Sequence, residues 1–131
     1  MLMTTLWVAL GGALGSVSRF WLSMTVAQRL EEVFPWGTLT VNVLGSFIIG
    51  FTTVLTGPDG RLFVPADARI FIIVGFCGGF TTFSTFSLQT LTLLRDGDMT
   101  RAGLNIAVSV AACMISVWLG AVAAGLINQS R

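Results

Sequence analysis

The chain is 131 residues long, and 54% of its residues are apolar whereas only 10% are charged. Soluble domains carry about 25% charged residues, so this composition argues against a soluble globular protein. The net charge of +1 offers no basic surface for nucleic acid, and the lack of histidine removes the commonest metal ligand and general base.

Four long stretches of the chain carry almost no charge. They cover 1–28, 33–58, 70–94 and 102–130, and the one charged side chain within them is Arg19 in the first stretch. A bilayer core of roughly 30 Å needs about 20 helical residues. We therefore predict an all-α membrane protein with a single domain over 1–131 and four transmembrane helices. Their approximate bounds are 4–27, 37–57, 68–95 and 101–127.

The arginines outside these stretches scarcely define an orientation. Four spans put both termini and the 58–67 loop on one side of the membrane. That side carries Arg61, Arg69 and Arg131, and the other carries Arg29, Arg95 and Arg101. Because the positive-inside rule depends on an excess of such charges, the count allows two interpretations. One is a weakly biased single topology, and the other is dual topology with antiparallel pairing of two copies.

The first predicted helix combines small residues with one charge. Gly11 with Gly15, and Gly12 with Ser16, are small-xxx-small pairs that let helices approach closely. Arg19 lies deep in the span and must snorkel, pair or line an aqueous vestibule. No predicted span contains a carboxylate that could neutralise it.

The second helix has a polar face at helical spacing, formed by Thr38, Asn42 and the pair Gly45/Ser46. The Asn42 amide serves either as an interhelical hydrogen-bonding group or as a donor to a ligand. The fourth helix carries a similar polar stripe at spacings of four, four and three residues, and the same alternatives apply to it. The members of that stripe are Asn105, Ser109, Cys113 and Ser116.

The third segment, 75–87, reads GFCGGFTTFSTFS and is poor helix material at its centre. We predict a break in this helix, which is tolerated at membrane depth only when the backbone is buried in protein or lines a cavity. A break frees backbone carbonyl groups that can hold Na⁺. Phenylalanine recurs every three residues, at Phe80, Phe83 and Phe86. These rings either pack in the protein core or present their partially positive edges to an anion.

This inventory of hydroxyls, amides and ring edges suits a small anion and provides no proton carrier or nucleophile–base pair. The 75–87 motif, with Gly37-Thr38-Leu39, Asn42 and Gly45, resembles the CrcB/Fluc family of fluoride channels. The Gly15–Arg19 region is also similar, and the resemblance covers essentially the whole chain.

The resemblance implies a passive, fluoride-selective channel rather than an enzyme, which exports fluoride across the inner (plasma) membrane and relieves fluoride toxicity. It implies an antiparallel, dual-topology homodimer in the lipid bilayer with two fluoride pathways. The pathway residues it implies are Phe83, Phe86, Asn42, Thr85 and Ser109. It also implies a structural Na⁺, not transported, held by the carbonyls of Gly78 and Thr81 from both subunits. Arg19 matches the family's first-helix arginine, as a vestibule or structural residue.

Two residues depart from the family pattern. Gln89 stands where the family often has glutamate, and Cys113 stands where serine or glycine is common. Two other functions remain open. A small dual-topology multidrug exporter has similar size but needs a glutamate in the first helix, which this helix lacks. A membrane subunit without transport activity is the second alternative.

Overall fold

The computed structural model describes residues 1–30 and 33–130, and every regular element in these ranges is helical. In chain order the elements are α1 (Leu2–Arg29), α2 (Trp36–Leu55), α3 (Ala66–Ile70), a π-helical segment (Phe71–Cys77), α4 (Gly78–Phe80), α5 (Phe83–Arg95) and α6 (Met99–Gln129). The prediction of an all-α fold is therefore confirmed for the described ranges. Arg131, which entered the charge count, lies outside them.

Among the residues that the structure describes, three helical stretches are long and apolar enough to cross a membrane. They are Trp36–Leu55, Ala66–Arg95 taken across its interruption, and Met99–Gln129. These stretches fit the predicted membrane protein. Helix α1 is 28 residues long but is not among them, because Arg19 and its many glycine, serine and threonine residues reduce its hydropathy. The span predicted over 4–27, which corresponds to α1, therefore stays a prediction.

Glycines on α1 let its backbone lie directly against the backbone of the neighbouring helical segments. α1 packs along the π-helical segment and α4, and α2 packs along α6. A Cβ atom added to Gly11 or Gly15 would collide with the carbonyl oxygens of Phe71 and Phe76, respectively. Overpacking of this kind typically costs about 1–3 kcal/mol. The backbones of α1 and the third segment can therefore approach this closely only with glycine at these positions.

The connection from α5 to α6 is fixed by a cap. Gly97 has a φ of +80°, a conformation that glycine adopts readily. Asp98 then accepts hydrogen bonds from the Arg101 amide at 3.0 Å and from the Arg101 guanidinium at 2.8 Å. These bonds lower the pKa of the Asp98 carboxyl group, with the backbone bond contributing most. The charged cap marks the start of α6 outside the apolar stretch.

Candidate functional site

The third helix is interrupted at two threonines. Thr81 and Thr82 have extended backbones, with φ/ψ of −92°/158° and −152°/114°, between the end of α4 and the start of α5. The Thr82 hydroxyl then caps α5 by accepting a hydrogen bond from the Thr85 amide at 3.2 Å. Glycines and β-branched residues have low helix propensity, and threonine hydroxyls compete for backbone groups. The local sequence therefore favours an interruption here.

Asn42 on α2 holds the interruption in place. Its Nδ2 atom donates to the Thr82 carbonyl at 3.0 Å, and its Oδ1 atom accepts from the Thr82 amide at 2.7 Å. Both backbone groups of Thr82 are thus bonded to one side chain that is 40 positions away in the sequence. The amide replaces the helical hydrogen bonds that the extended conformation gives up.

This arrangement redirects two particular backbone hydrogen bonds. In a continuous α-helix the amide of residue 82 would donate to the Gly78 carbonyl, and the amide of residue 85 to the Thr81 carbonyl. Here the first amide donates to Asn42 and the second to the Thr82 hydroxyl. Gly78 is exposed, and a Cβ added there would meet nothing within 4 Å. The carbonyls of Gly78 and Thr81 are therefore available to another ligand.

A cavity of about 440 Å³ lies beside the interruption. Six of the predicted site residues line it: Asn42, Gly78, Thr81, Phe83, Phe86 and Ser109. Its remaining wall is largely apolar and includes Ile49, Ile73, Val110 and Met114, together with both cysteines, Cys77 and Cys113. Within the described ranges, no aspartate, glutamate or arginine lines this cavity. The fold thus gathers uncharged polar groups from three helical stretches around one space.

Two phenylalanine rings share the cavity. Phe83 is 77% exposed and Phe86 is 9% exposed. Their ring centroids lie 5.2 Å apart with the planes inclined by 47°. Phe80 instead points into the protein and stacks on Phe76, with centroids 5.5 Å apart. Because the chain is extended between Phe80 and Phe83, the three-residue spacing does not place all three rings on one face.

Ser109 belongs to a chain of buried hydrogen bonds that joins α6 to α5. Its Oγ atom donates to Asn105 Oδ1 at 3.2 Å, and Asn105 Nδ2 donates to Thr90 Oγ1 at 2.9 Å. Thr90 Oγ1 in turn donates to the Phe86 carbonyl at 2.8 Å. We call these bonds the Ser109–Phe86 relay. Sequence reasoning did not select Thr90, although a threonine four residues after Phe86 commonly bonds back to that carbonyl.

The other predicted residues lie away from the cavity wall. The Thr85 hydroxyl accepts a hydrogen bond from the Thr82 hydroxyl at 3.0 Å, so Thr85 helps to shape the interruption. Arg19 is half-buried on α1, and it forms no ion pair with any residue in the described ranges. Gln89 has a buried Oε1 atom without a hydrogen-bond partner among the described residues.

The fold and the site define an all-helical membrane protein with an uncharged, largely apolar cavity beside an interrupted helix, and a few amide and hydroxyl groups lie in the cavity wall. The family model described as "CrcB-like protein, Camphor Resistance (CrcB)" matches residues 6–121. The chain belongs to this CrcB family.

Several relatives are similar over nearly their whole length. A protein of Opitutus terrae named fluoride-specific ion channel FluC is 62% identical over 96% of each chain. Proteins of the same name from Methylocella silvestris and Rhodospirillum rubrum are 55% and 57% identical. They align over 98% of both chains in the first case, and over 97% of this chain and 98% of the relative in the second.

Proposed function

We propose that this protein is a fluoride-selective passive ion channel of the plasma membrane that lets fluoride leave the cell and so relieves fluoride toxicity. The observation that carries the proposal is the cavity, in which amide, hydroxyl and aromatic groups converge without any carboxylate or arginine in the wall. A carboxylate there would repel an anion, and a fixed arginine would hold it too tightly to release it. The names of the relatives support fluoride as the anion.

The ring edges and the polar groups act together on the ion. The edge of a phenylalanine ring is partially positive, and the rings of Phe83 and Phe86 are adjacent in the cavity wall. Fluoride is strongly hydrated, so one ring edge cannot compensate for the water it loses. Asn42 retains a second Nδ2 hydrogen beside the one given to Thr82. Ser109 lines the same cavity, and its hydroxyl donates to Asn105 until an ion competes for it.

The working unit in this proposal is an antiparallel homodimer with two fluoride pathways. In each subunit α1 crosses the membrane together with the three stretches named above, so that the chain has four spans. A single copy leaves Phe83 largely exposed, and a second copy would enclose the ring and complete the pathway. The equal arginine counts on the two sides support insertion in both orientations. Arg19 would then lie in a vestibule or serve as a structural residue.

Charge added to one side of the membrane should test dual topology. Two exposed positions lie on the same predicted side of the membrane. Val33 lies in the loop between α1 and α2, and Thr100 lies at the start of α6, next to the loop that follows α5. The double variant Val33→Lys/Thr100→Lys should insert in one orientation only and lose fluoride efflux. A second copy with Leu62→Lys/Phe63→Lys, biased the opposite way, should restore efflux on co-expression. Full efflux from either biased variant alone would contradict the antiparallel dimer.

A structural Na⁺ at the interruption is the remaining part of the proposal. The carbonyls of Gly78 and Thr81 are the two whose helical donors are redirected. Carbonyl oxygens suit a hard monovalent cation without a carboxylate. With two subunits the site would have four such oxygens.

Removal of Na⁺ should therefore abolish efflux or dissociate the dimer, because the backbone at the interruption would lose its central ligand. The measurement is fluoride efflux together with size-exclusion chromatography after exchange of Na⁺ for N-methyl-D-glucamine. Readdition of Na⁺ is the control. A dimer that conducts normally without Na⁺ would show that no such ion is needed.

Purified protein in liposomes separates this function from a multidrug exporter. With valinomycin and K⁺ present to balance charge, the channel should release fluoride at a rate that does not change when the proton gradient is collapsed with a proton ionophore. An exporter would move an organic cation, and only with the gradient present. Absence of both fluxes would favour a membrane subunit without transport activity.

A further inference from the structure

The Ser109–Phe86 relay has a fixed direction. A backbone carbonyl can only accept, so the Thr90 hydroxyl proton is committed to Phe86 and its oxygen accepts from Asn105. The Asn105 amide must then present Nδ2 to Thr90 and Oδ1 to Ser109. Since Oδ1 is an acceptor, Ser109 donates its proton to it. Every assignment in the relay follows from the carbonyl at its end.

Burial makes this direction hard to reverse. Asn105 is 1% exposed, and Thr90 and Ser109 are each 7% exposed. Within residues 1–30 and 33–130, Ser109 is the only donor to the Asn105 Oδ1 atom. Leaving a buried amide oxygen without a donor costs free energy. The Asn105 oxygen therefore competes with any ion in the cavity for the Ser109 proton.

We infer that Thr90 and Asn105 are positioning residues that weaken fluoride binding by holding the Ser109 hydroxyl proton away from the cavity. The inference rests on the proposed channel function and assigns these residues a part in it. A conducting site must bind an ion well enough to admit it and weakly enough to release it. Fluoride can accept a hydrogen bond from the Ser109 hydroxyl only if the bond from that hydroxyl to Asn105 breaks. The relay therefore favours release of the ion from the cavity.

Thr90→Val tests the relay because it removes the hydroxyl and nearly preserves the side-chain shape. The Asn105 amide is then free to turn its Nδ2 towards Ser109, which releases the Ser109 proton to the cavity. The initial rate of fluoride efflux is measured over a series of internal fluoride concentrations. The internal fluoride concentration that gives half of the maximal rate, called half-saturation below, should fall by about fivefold. This is the factor that corresponds to the free energy of one neutral hydrogen bond. The maximal rate should fall as well, because release becomes slower.

Three variants serve as controls. Thr92→Val removes the same type of hydroxyl bond from the same helix, to the Leu88 carbonyl at 3.0 Å, but Thr92 is exposed and outside the relay. It should leave half-saturation unchanged. Thr90→Ser keeps the hydroxyl and should behave as the wild type. In a Ser109→Ala background, Thr90→Val should no longer change half-saturation, because the proton that it releases is absent.

The direction of the change distinguishes this role from structural damage. Damage to packing would lower the maximal rate without tighter fluoride binding. Unchanged or raised half-saturation in an assembled Thr90→Val dimer would overturn the inference. If that variant does not assemble, Asn105→Leu removes the competing acceptor directly and must lower half-saturation in the same way. Wild-type protein without fluoride efflux would instead overturn the channel function itself.

Discussion

Phe86→Ile and Phe83→Ile should each lower fluoride efflux by roughly tenfold or more while the dimer stays assembled. Isoleucine retains much of the apolar bulk of the ring but has no partially positive edge. The two rings lie together in the cavity wall, so either substitution removes one of the two ring edges that the proposed mechanism uses. The measurement is fluoride efflux from liposomes, with size-exclusion chromatography as the check of assembly.

Phe47→Ile is the matched control for these variants. Phe47 stacks on Phe51 with centroids 6.0 Å apart, and it does not line the cavity. The substitution removes a pair of phenylalanine rings from α2, outside the cavity, and should leave efflux near the wild-type rate. If both cavity variants conduct like the wild type, Phe83 and Phe86 are packing residues and the ring-edge mechanism is wrong.

Asn42→Asp should have a still larger effect, because it alters the cavity and the interruption together. A carboxylate in the wall would repel fluoride by about 4 kcal/mol at 4 Å and an effective dielectric of 20, which lowers efflux on the order of a thousandfold. The new side chain also replaces the Nδ2 donor that binds the Thr82 carbonyl at 3.0 Å with an oxygen. Two oxygens would then face each other across that distance.

A second variant separates the two effects. Asn42→Leu introduces no charge but removes both bonds to Thr82, so the Thr82 amide is free to return to the Gly78 carbonyl. We expect this variant to lose both fluoride efflux and the proposed Na⁺ site. Thr40→Val is the control on the same helix, since it removes only a hydroxyl bond to the Trp36 carbonyl at 2.8 Å. Wild-type efflux from Asn42→Asp would show that Asn42 neither faces the ion nor holds the interruption.

Sequence reasoning was most informative where the signal was local. Uncharged runs located the apolar helices, and the glycine and threonine cluster marked the region in which Thr81 and Thr82 are extended. Helix α1 was the hardest to classify, because Arg19 and its small residues weaken the hydropathy signal that defines a span. Such residues are compatible with a span only where neighbouring helices cover them.

Contacts between distant residues were beyond the sequence. The polar face of α2 identified Asn42 as important, but nothing in the pattern showed that both ends of its amide bind Thr82. The stripe on α6 identified Ser109, whereas its link through Asn105 to Thr90 depends on how α6 packs on α5. The inward turn of Phe80 likewise depends on the conformation of the two residues that follow it.

The most direct test of the central claim is the anion selectivity of the purified protein. Liposomes that contain the wild-type protein are loaded with equal concentrations of potassium fluoride and potassium chloride in the presence of Na⁺. Valinomycin lets K⁺ carry the balancing positive charge, and release of each anion is followed with an ion-selective electrode. A fluoride-selective channel should release fluoride rapidly and retain chloride, and Asn42→Asp should abolish the fluoride release. Equal release of the two anions, or retention of both, would contradict the central claim.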